Sequence, residues 1–298
     1  MKVYYNTDYT ASEYAFDTTR KSAEIANYIT NVTHIRELEV EDPGYVYQLT
    51  EKLINKMHSA EYVKAVKTGS PTNLAESQGF EWDESIYTMA LAHNAGLVAA
   101  TQHVLYNNNK VAGSLSSGLH HSSKDNGVGF CTFNGIAIAA QAAHEYGAKR
   151  ILSLDFDAHC GGGTYSMTRD IGVVQVDVIC SMFDDYDITD DESRYFLAHE
   201  ELGYDDLIKT ALDYATTLGP WDFVIYNAGM DPYNCGVTFQ ELGRREEAVA
   251  QWAKDNNYPI IFALAGGYTW GNVTMKDLVD LHTLTVRSFA EVFSSVSN

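Results

Sequence analysis

Residues 150–164 read RILSLDFDAHCGGGT and combine a predicted strand with candidate metal ligands. The first part, 150–155, is a short apolar run that predicts a buried strand. It leads into the sequence Asp-Phe-Asp-Ala-His at 155–159. Because residues two apart in an extended chain project to the same side, Asp157 and His159 can converge on one ion. This stretch therefore predicts a strand with a candidate metal site at its carboxyl end.

Other segments repeat this alternation of short apolar runs and longer helical patterns. Four more strands are predicted, at 2–5 (KVYY), 173–179 (VVQVDVI), 222–227 (DFVIYN) and 259–265 (PIIFALA). Helical patterns fill the gaps at about 12–29, 86–105, 134–146, 204–218, 239–256 and 275–293. Apolar strands that alternate with helices predict an α/β fold, with three α/β/α layers around a central, mostly parallel sheet. No repeat or linker divides the sequence, so a single domain over 1–298 is the simplest interpretation.

Polar side chains follow the predicted strands, at the edge where sheets of this kind bind ligands. The residues in these positions are Asp231, the turn Gly266-Gly267-Tyr268 and, in the Gly/Ser-rich loop 113–129, the pair His120–His121. An Asp/His pair with one more carboxylate suits catalytic Zn²⁺ or a similar divalent ion, which makes Asp231 the third ligand candidate. Each feature alone is also typical of a structural loop, but their joint occurrence favours a metal site.

Six segments of the sequence resemble the histone deacetylase family, which includes the acetylpolyamine amidohydrolases and the acetoin-utilisation proteins. They are FDTTRKSAEIA (16–26), MHSAEYVKAV (57–66), GLHHSSKDNGVGFCTFNGIAIAA (118–140), RILSLDFDAHCGGGT (150–164), NAGMD (227–231) and AGGYT (265–269). The last four are the most specific, and they come in the order and spacing of the family. The resemblance implies the arginase-like α/β fold and looks closer to the class II and bacterial members than to class I.

Carried over position by position, the resemblance implies a role for each site residue. These are Asp157, His159 and Asp231 as metal ligands, His120 and His121 as tandem histidines, and Tyr268 as the tyrosine that faces the substrate carbonyl. Asp155 would hydrogen-bond His120 and help to bind a structural monovalent cation such as K⁺. Gly129, Phe130 and Gly267 would contact the substrate, with Phe130 as one wall of a narrow acyl-chain tunnel.

The chemistry of such a site follows from the reactivity of amides. An amide carbonyl is a poor electrophile, and a divalent metal both polarises it and lowers the pKa of bound water from about 15.7 towards 7. One histidine must take the proton of the water and later deliver one to the leaving amine, and His121 is our candidate. The Tyr268 hydroxyl, on a Gly-Gly hinge, can donate to the carbonyl oxygen as it becomes negative.

Two segments depart from the family pattern. Most relatives have Asp or Asn three residues after the metal-binding histidine, where it orients the second tandem histidine, but this chain has Gly162. Another residue, a water molecule or weak activity would each account for this glycine. The Pro-Gly-Thr-Gly-like loop after the strand 173–179 is also missing, with SMFDDYD at 181–187 in its place. Phe183 in that loop is a candidate for the opposite tunnel wall.

The composition narrows the range of partners. The 298-residue chain has a formal net charge of −20, which argues against nucleic acid because phosphate binding needs clustered Lys and Arg. An acidic surface favours cationic partners such as polyamines or lysine-rich peptides, although solubility explains the same charge. The acidic run at 184–192 is either a solvated loop or an anionic rim for such a substrate.

Without a signal-like or membrane-spanning segment, and with four scattered cysteines, the sequence predicts a cytoplasmic protein.

The sequence therefore predicts a metal-dependent amide hydrolase that removes an acetyl or other acyl group from a small-molecule or peptide amine. Acetyl-lysine and acetylpolyamines are the candidate substrates, and Zn²⁺ is the first choice of metal, with Fe²⁺ suited to the same ligands. A binuclear manganese ureohydrolase is one alternative, although Gly161 and the neighbours of Asp231 do not provide its extra carboxylates. A binding protein that has lost its activity is the other, because of Gly162. The oligomeric state is left open.

Overall fold

The computed structural model describes residues 1–12, 17–33, 35, 37–198 and 203–294, and within them eight strands form one sheet. The strands are β1 (Lys2–Tyr4), β2 (Glu39–Glu41), β3 (Val111–Ser114), β4 (Ile151–Phe156), β5 (Val173–Ile179), β6 (Arg194–Leu197), β7 (Phe223–Gly229) and β8 (Ile260–Ala265). Their order across the sheet is β2-β1-β3-β8-β7-β4-β5-β6, and every pairing is parallel. All carboxyl ends therefore lie along one edge.

Helices of the described residues cover both faces of this sheet. They are α1 (Lys21–Asn27), α2 (Tyr47–Met57), α3 (Ala60–Thr68), α4 (Thr72–Ala75), α5 (Ile86–Leu105), α6 (Gly135–Glu145), α7 (Gly162–Thr168), α8 (Tyr204–Leu218), α9 (Phe239–Asp255) and α10 (Met275–Ser294). Short 3₁₀ turns lie at Thr7–Thr10, Asp17–Arg20, Pro43–Val46, Arg169–Ile171 and Asp231–Cys235, and a π turn at Tyr28–Val32. The predicted three-layer α/β/α fold with a parallel sheet is confirmed. No helix among these is long and apolar enough to cross a bilayer.

Alternation along the strands explains the three layers. Leu152 and Leu154 of β4 pack into a core with α1, α8, α9 and α10, whereas Ile151 packs into a second core with α2, α3, α5 and α6. In β7, Tyr226 likewise packs into the first core and Phe223 into the second. Because successive side chains of a strand point to opposite faces, apolar residues at every position give a sheet that is buried on both sides.

The predicted strands are all present, with ends within two residues of the expected positions. β2, β3 and β6, each of three or four residues, were not predicted. Of the predicted helix 12–29, residues 13–16 lie outside the described residues, and its start was wrong. Ser12 is in a turn, and α1 begins only after a 3₁₀ turn that contains Thr18 and Thr19, whose β-branched side chains disfavour a regular helix.

A buried ion pair fixes the end of β4. Arg245 and its neighbour Glu246 in α9 are both buried, and they pair at 2.6 Å. The Tyr226 hydroxyl donates to Glu246 at 2.9 Å, and Arg245 Nη1 donates to the Phe156 carbonyl at 2.9 Å. A buried charge that is both paired and hydrogen-bonded is costly to disturb. This network therefore holds the backbone just before Asp157.

Candidate active site

Five neighbouring strands bring polar side chains to one point at the carboxyl edge of the sheet. In sheet order, the contributions are His120 and His121 after β3, Tyr268 after β8, Asp231 after β7, Asp157 and His159 after β4, and Asp184 after β5. A cavity at this point is lined by His120, His121, Gly129, Phe130, Asp157, Asp231, Gly266 and Tyr268, among others. The structure thus brings together residues that are far apart in the sequence, at the edge where ligands of parallel sheets bind.

Asp157, His159 and Asp231 converge on a common centre. His159 Nδ1 lies 3.2 Å from Asp157 Oδ1 and 3.3 Å from Asp231 Oδ2. One ligand atom from each residue lies within 4.8 Å of the other two, and both carboxylates are buried. One ring nitrogen and two carboxylate oxygens form a donor set that suits Zn²⁺ or Fe²⁺. The three predicted ligands therefore fit a single divalent ion.

The electrostatics of this cluster favour a cation. Burial and the nearby negative charge of Asp157 raise the pKa of Asp231. Burial disfavours a charged His159, but hydrogen bonds and charge from the two carboxylates outweigh it and raise its pKa to about 10. A divalent ion would meet the same negative field and would displace the His159 proton as it bound the ring nitrogen.

Glycines make the close approach of these carboxylates possible. A Cβ at Gly266 would lie 1.8 Å from Asp231 Oδ1, and one at Gly229 would lie 2.3 Å from Asp157 Oδ2. Gly266 and Gly267 have φ of +57° and +76°, which glycine adopts without strain. In that conformation the Gly267 N–H donates to Asp231 Oδ1. Gly267, which was expected to contact the substrate, is thus seen to orient a ligand candidate.

The first tandem histidine is held from β4. His120 Nδ1 and Asp155 Oδ2 are 2.7 Å apart, as expected from the resemblance. The other oxygen of Asp155 accepts a hydrogen bond from Asn227 Nδ2 at 2.8 Å. Burial opposes a charged His120, but Asp155 and Asp157 outweigh it and raise the pKa of His120 to about 10. The first histidine therefore tends to keep its second proton.

The second tandem histidine has a different environment. The His121 ring lies 3.9 Å from the His120 ring, and its Nδ1 is 2.8 Å from Asp184 Oδ2. Burial and the charge of His120 lower the pKa of His121. A neutral His121 that donates through Nδ1 keeps Nε2 as an acceptor, which is what a general base requires.

Aromatic rings surround the histidines and Tyr268. Phe130 stacks on Phe80 with ring centroids 5.4 Å apart and lies 6.2 Å from Tyr268. Phe183, whose exposed fraction is 46%, sits edge-on to His121 at 5.0 Å. A Cβ at Gly129 would lie 2.6 Å from His121 Cδ2 and 3.3 Å from Phe183. Phe130 thus lines the cavity, and Phe183 contacts the histidine.

Comparisons with known proteins identify the family. The family model for the histone deacetylase domain matches residues 17–188, which is more than half of the chain. The chain belongs to the histone deacetylase family. This membership confirms the resemblance to the family, and it supports hydrolysis of acyl amines in general.

Several relatives within the family are known by sequence. An uncharacterized protein of Picosynechococcus is 28% identical over 268 residues, which cover 84% of this chain and 87% of the relative. Zebrafish polyamine deacetylase HDAC10 is 35% identical over 128 residues, which cover 40% of this chain and 19% of the relative. Human histone deacetylase 1 is 23% identical over 277 residues, which cover 83% of this chain and 56% of the relative. The matches thus span about half or less of these two animal deacetylases.

A solved structure supports the fold of this deacetylase-family chain. The acetylpolyamine aminohydrolase of Burkholderia pseudomallei superposes with a TM-score of 0.74 at 17% identity, and 99% of each chain is covered. At this identity the likeness concerns the fold, which is the arginase-like three-layer arrangement expected from the sequence.

The structure shows which residue contacts His121 in this chain, where Gly162 replaces the usual Asp or Asn. Asp184, from the loop after β5, is the partner of His121, so another residue takes up the contact, the first of the three explanations for this glycine. A Cβ at position 162 would lie 2.3 Å from the Asp184 carbonyl oxygen and 2.7 Å from Asp184 Oδ1. The glycine therefore makes room for the aspartate.

Sequence reasoning missed some residues of the site. Asp184 was noted only as part of an acidic run, and Asn227 only as a letter of the NAGMD segment. Lys21 is buried, its Nζ donates to the Gly266 carbonyl at 2.5 Å, and burial lowers its pKa to about 8. The unexplained Gly162 was the one signal that pointed to a missing partner for His121.

The K⁺ ion implied near Asp155 stays a prediction. Asp155 uses its two oxygens for His120 and Asn227. Asp177 lies beside it on β5, fully buried, and its Oδ1 has no hydrogen-bond partner among the described residues. Burial, with the charge of Asp155, raises the pKa of Asp177 well above its usual range. A cation or a proton would each satisfy this buried oxygen.

We expect Gly162→Ala to destabilise the protein by about 1–3 kcal/mol, the usual cost of overpacking. The added methyl would press on the Asp184 backbone at 2.3 Å, and a backbone atom cannot swing aside as a flexible side chain can. Denaturant unfolding measures the change. Gly243→Ala inside α9 is the matched control, since its Cβ would meet only Leu284 at 3.8 Å and alanine favours a helix. Equal stability of Gly162→Ala and the parent chain would contradict the tight packing.

Proposed function

We propose that this protein is a metal-dependent deacetylase that hydrolyses N-acyl amides to a carboxylate and an amine. The observation that carries the proposal is the convergence of Asp157, His159 and Asp231 beside a cavity that is lined by His120, His121 and Tyr268. The names of two relatives, a polyamine deacetylase and an acetylpolyamine aminohydrolase, support small acetylated amines as substrates. Acetyl-lysine in a peptide is the second substrate class.

Asp157, His159 and Asp231 would hold one ion, with Zn²⁺ the first choice and Fe²⁺ suited to the same ligands. When bound, such an ion polarises the amide carbonyl and makes water acidic enough to react near neutral pH. The protein contributes a buried, negatively charged cradle. Arg245 under β4 and the glycines around the carboxylates maintain its shape.

His121 would move the protons of the reaction. Its Nδ1 donates to Asp184, so Nε2 would keep a lone pair that can accept a proton. In the first step Nε2 takes a proton from the attacking water, and in the second it returns a proton to the amine as the C–N bond breaks. His120, paired with the buried Asp155, would stay protonated and offset the negative charge that develops nearby.

Tyr268 would stabilise the oxygen that gains charge. Burial, together with the negative charges of Asp231 and Asp157, raises the pKa of Tyr268, so its hydroxyl keeps the proton that it must donate. The ring is stacked on Trp270 with centroids 4.2 Å apart, and its backbone N–H donates to Asn234 at 3.2 Å. A donor that is already oriented loses little entropy as the reaction proceeds.

The walls of the cavity would select the acyl chain. Phe130 and Phe183 would flank a flat, apolar acyl group, and position 129 has no room for a side chain because a Cβ there would touch both His121 and Phe183. Residues 1–298 would act as one catalytic domain, since a single sheet runs from β1 to β8. The charge of −20 favours an amine product that is a cation.

The test is a substrate screen on protein of known metal content. Chelated protein would be reloaded with Zn²⁺ or Fe²⁺, and acetyl-lysine peptides, acetylpolyamines and longer acyl amides would be offered to each form. We expect close to one ion per chain, turnover of at least one class of acyl amide, and loss of turnover on chelation. Close to two manganese ions with hydrolysis of a guanidino compound would favour a ureohydrolase instead. Full metal loading without turnover of any acyl amide would favour a binding protein.

A further inference from the structure

The loop after β5 is fixed against the segment that carries the candidate metal ligands. The N–H groups of Cys180 and Ser181 donate to the Ala158 carbonyl at 2.9 and 2.8 Å, and the Cys160 N–H donates to the Phe183 carbonyl at 3.0 Å. These bonds place the next residue, Asp184, directly beside the active-site histidine.

Asp184 itself is held in a single orientation. Its Oδ2 accepts hydrogen bonds from His121 Nδ1 at 2.8 Å and from the Gly163 N–H at 3.2 Å. Its backbone has φ of +58°, a left-handed conformation that Asp and Asn adopt more readily than other residues with a side chain. Its side chain is 21% exposed, so the carboxylate is largely withdrawn from water. A shielded and oriented carboxylate is suited to fix the ring of a histidine.

We propose that Asp184 is the positioning residue of His121, and that Gly162 is its necessary counterpart. The inference rests on the proposed function, in which His121 transfers protons. By accepting from Nδ1, Asp184 fixes the tautomer that exposes Nε2 to the substrate. A side chain at position 162 would overlap the Asp184 backbone, so the chain can carry the carboxylate at 184 only with glycine at 162.

The same loop carries a second residue that contacts His121. Phe183 is partly exposed, and its ring lies 5.0 Å from that of His121 and 5.6 Å from that of His159. Asp184 follows it directly in the chain. The loop that carries Phe183, the proposed second wall for the acyl chain, therefore also sets the orientation of the base.

Two substitutions test the role of Asp184. Asp184→Gly removes the carboxylate without strain at the positive φ, and Asp184→Asn keeps an oxygen that accepts from Nδ1. With the metal fully loaded, we expect Asp184→Gly to lower kcat about 10–100-fold, with KM changed less than about threefold. Asp184→Asn should stay within about fivefold of the parent kcat. Asn257→Gly, at an exposed position with φ of +58°, is the matched control and should behave as the parent.

The outcomes separate positioning from a purely structural effect. A kcat for Asp184→Gly within twofold of the parent would overturn the proposal, and so would equal losses for the Gly and Asn variants. Nitrogen-15 NMR of labelled histidine in the zinc-loaded protein gives a second readout that does not depend on turnover. The His121 signals, assigned with His121→Ala, should show a proton on Nδ1 in the parent and lose that preference in Asp184→Gly.

The same spectra keep this inference distinct from the proposed function. If no acyl amide is hydrolysed but Nδ1 of His121 carries the proton, the deacetylase proposal fails and the contact with Asp184 stands. If the parent protein carries the His121 proton on Nε2, the inference fails even when amides are hydrolysed.

Discussion

Asp231→Asn is expected to abolish stoichiometric metal binding and to lower kcat/KM by about a thousandfold or more. The amide keeps the size of the side chain and an oxygen that still accepts from the Gly267 N–H, so the turn after β8 is preserved. The substitution removes one of the two buried negative charges, those of Asp157 and Asp231, that favour the binding of a cation. Carbonyl polarisation by a metal contributes several kcal/mol, and each 1.36 kcal/mol corresponds to about tenfold in rate.

Metal analysis after dialysis and steady-state kinetics measure these two effects separately. Asp170→Asn, at an exposed position before β5, is the control and should leave both unchanged. One tightly held ion per chain in Asp231→Asn, with parental kcat/KM, would remove Asp231 from the ligand set. The site would then have to be rebuilt around other residues.

His121→Ala is expected to lower kcat about 10²–10⁴-fold, the usual range for loss of a general base. KM and metal content should change little, because Asp157, His159 and Asp231 remain and the acyl group still meets Phe130. The separation of kcat from KM is the decisive feature, since it marks an interaction used only in the transition state.

His103→Ala serves as the matched control. His103 lines a different cavity, at the amino ends of β1 and β3, on the opposite edge of the sheet. We expect parental kinetics for that variant. If His121→Ala kept more than a tenth of the parental kcat, another group would have to accept the proton of the water.

Much of the site could be predicted because its signals are local. Asp157 and His159 are two residues apart at the end of a strongly apolar strand, and the turn Gly266-Gly267-Tyr268 follows another. Such patterns need only the strand periodicity and the rule that ligands bind at the carboxyl edge. The three-layer fold followed from the same periodicity.

The remainder could not be predicted because it depends on tertiary contacts. Asp184 and His121 are 63 residues apart, and their contact requires both the turn at Ala158 and the open space at Gly162. Helix α7 begins at that same glycine, a residue that disfavours helices, so sequence propensity argued against it. At the start of α7, a weak local preference was overridden by packing.

The positions that would supply the extra carboxylates of a binuclear metal site, Gly161 and Met230, do not suit a carboxylate. Gly161 is enclosed, with a Cβ that would lie 2.6 Å from Asp155 Oδ2. Met230, beside Asp231, is fully buried, and its sulfur lies 3.6 Å from Arg245 Nη2. A carboxylate at position 161 would meet Asp155 at close range, which like charges disfavour.

The order of the strands has a thermodynamic consequence for the whole chain. The three candidate ligands follow β4 and β7, which are adjacent in the sheet but separated in sequence by β5, β6 and α8. An unfolded or half-assembled chain cannot gather them, so an ion that prefers the native state draws the equilibrium towards it, by about 2.7 kcal/mol at a free concentration one hundred times the Kd. The free metal concentration would then set the folded fraction of the chain, as well as its catalytic rate.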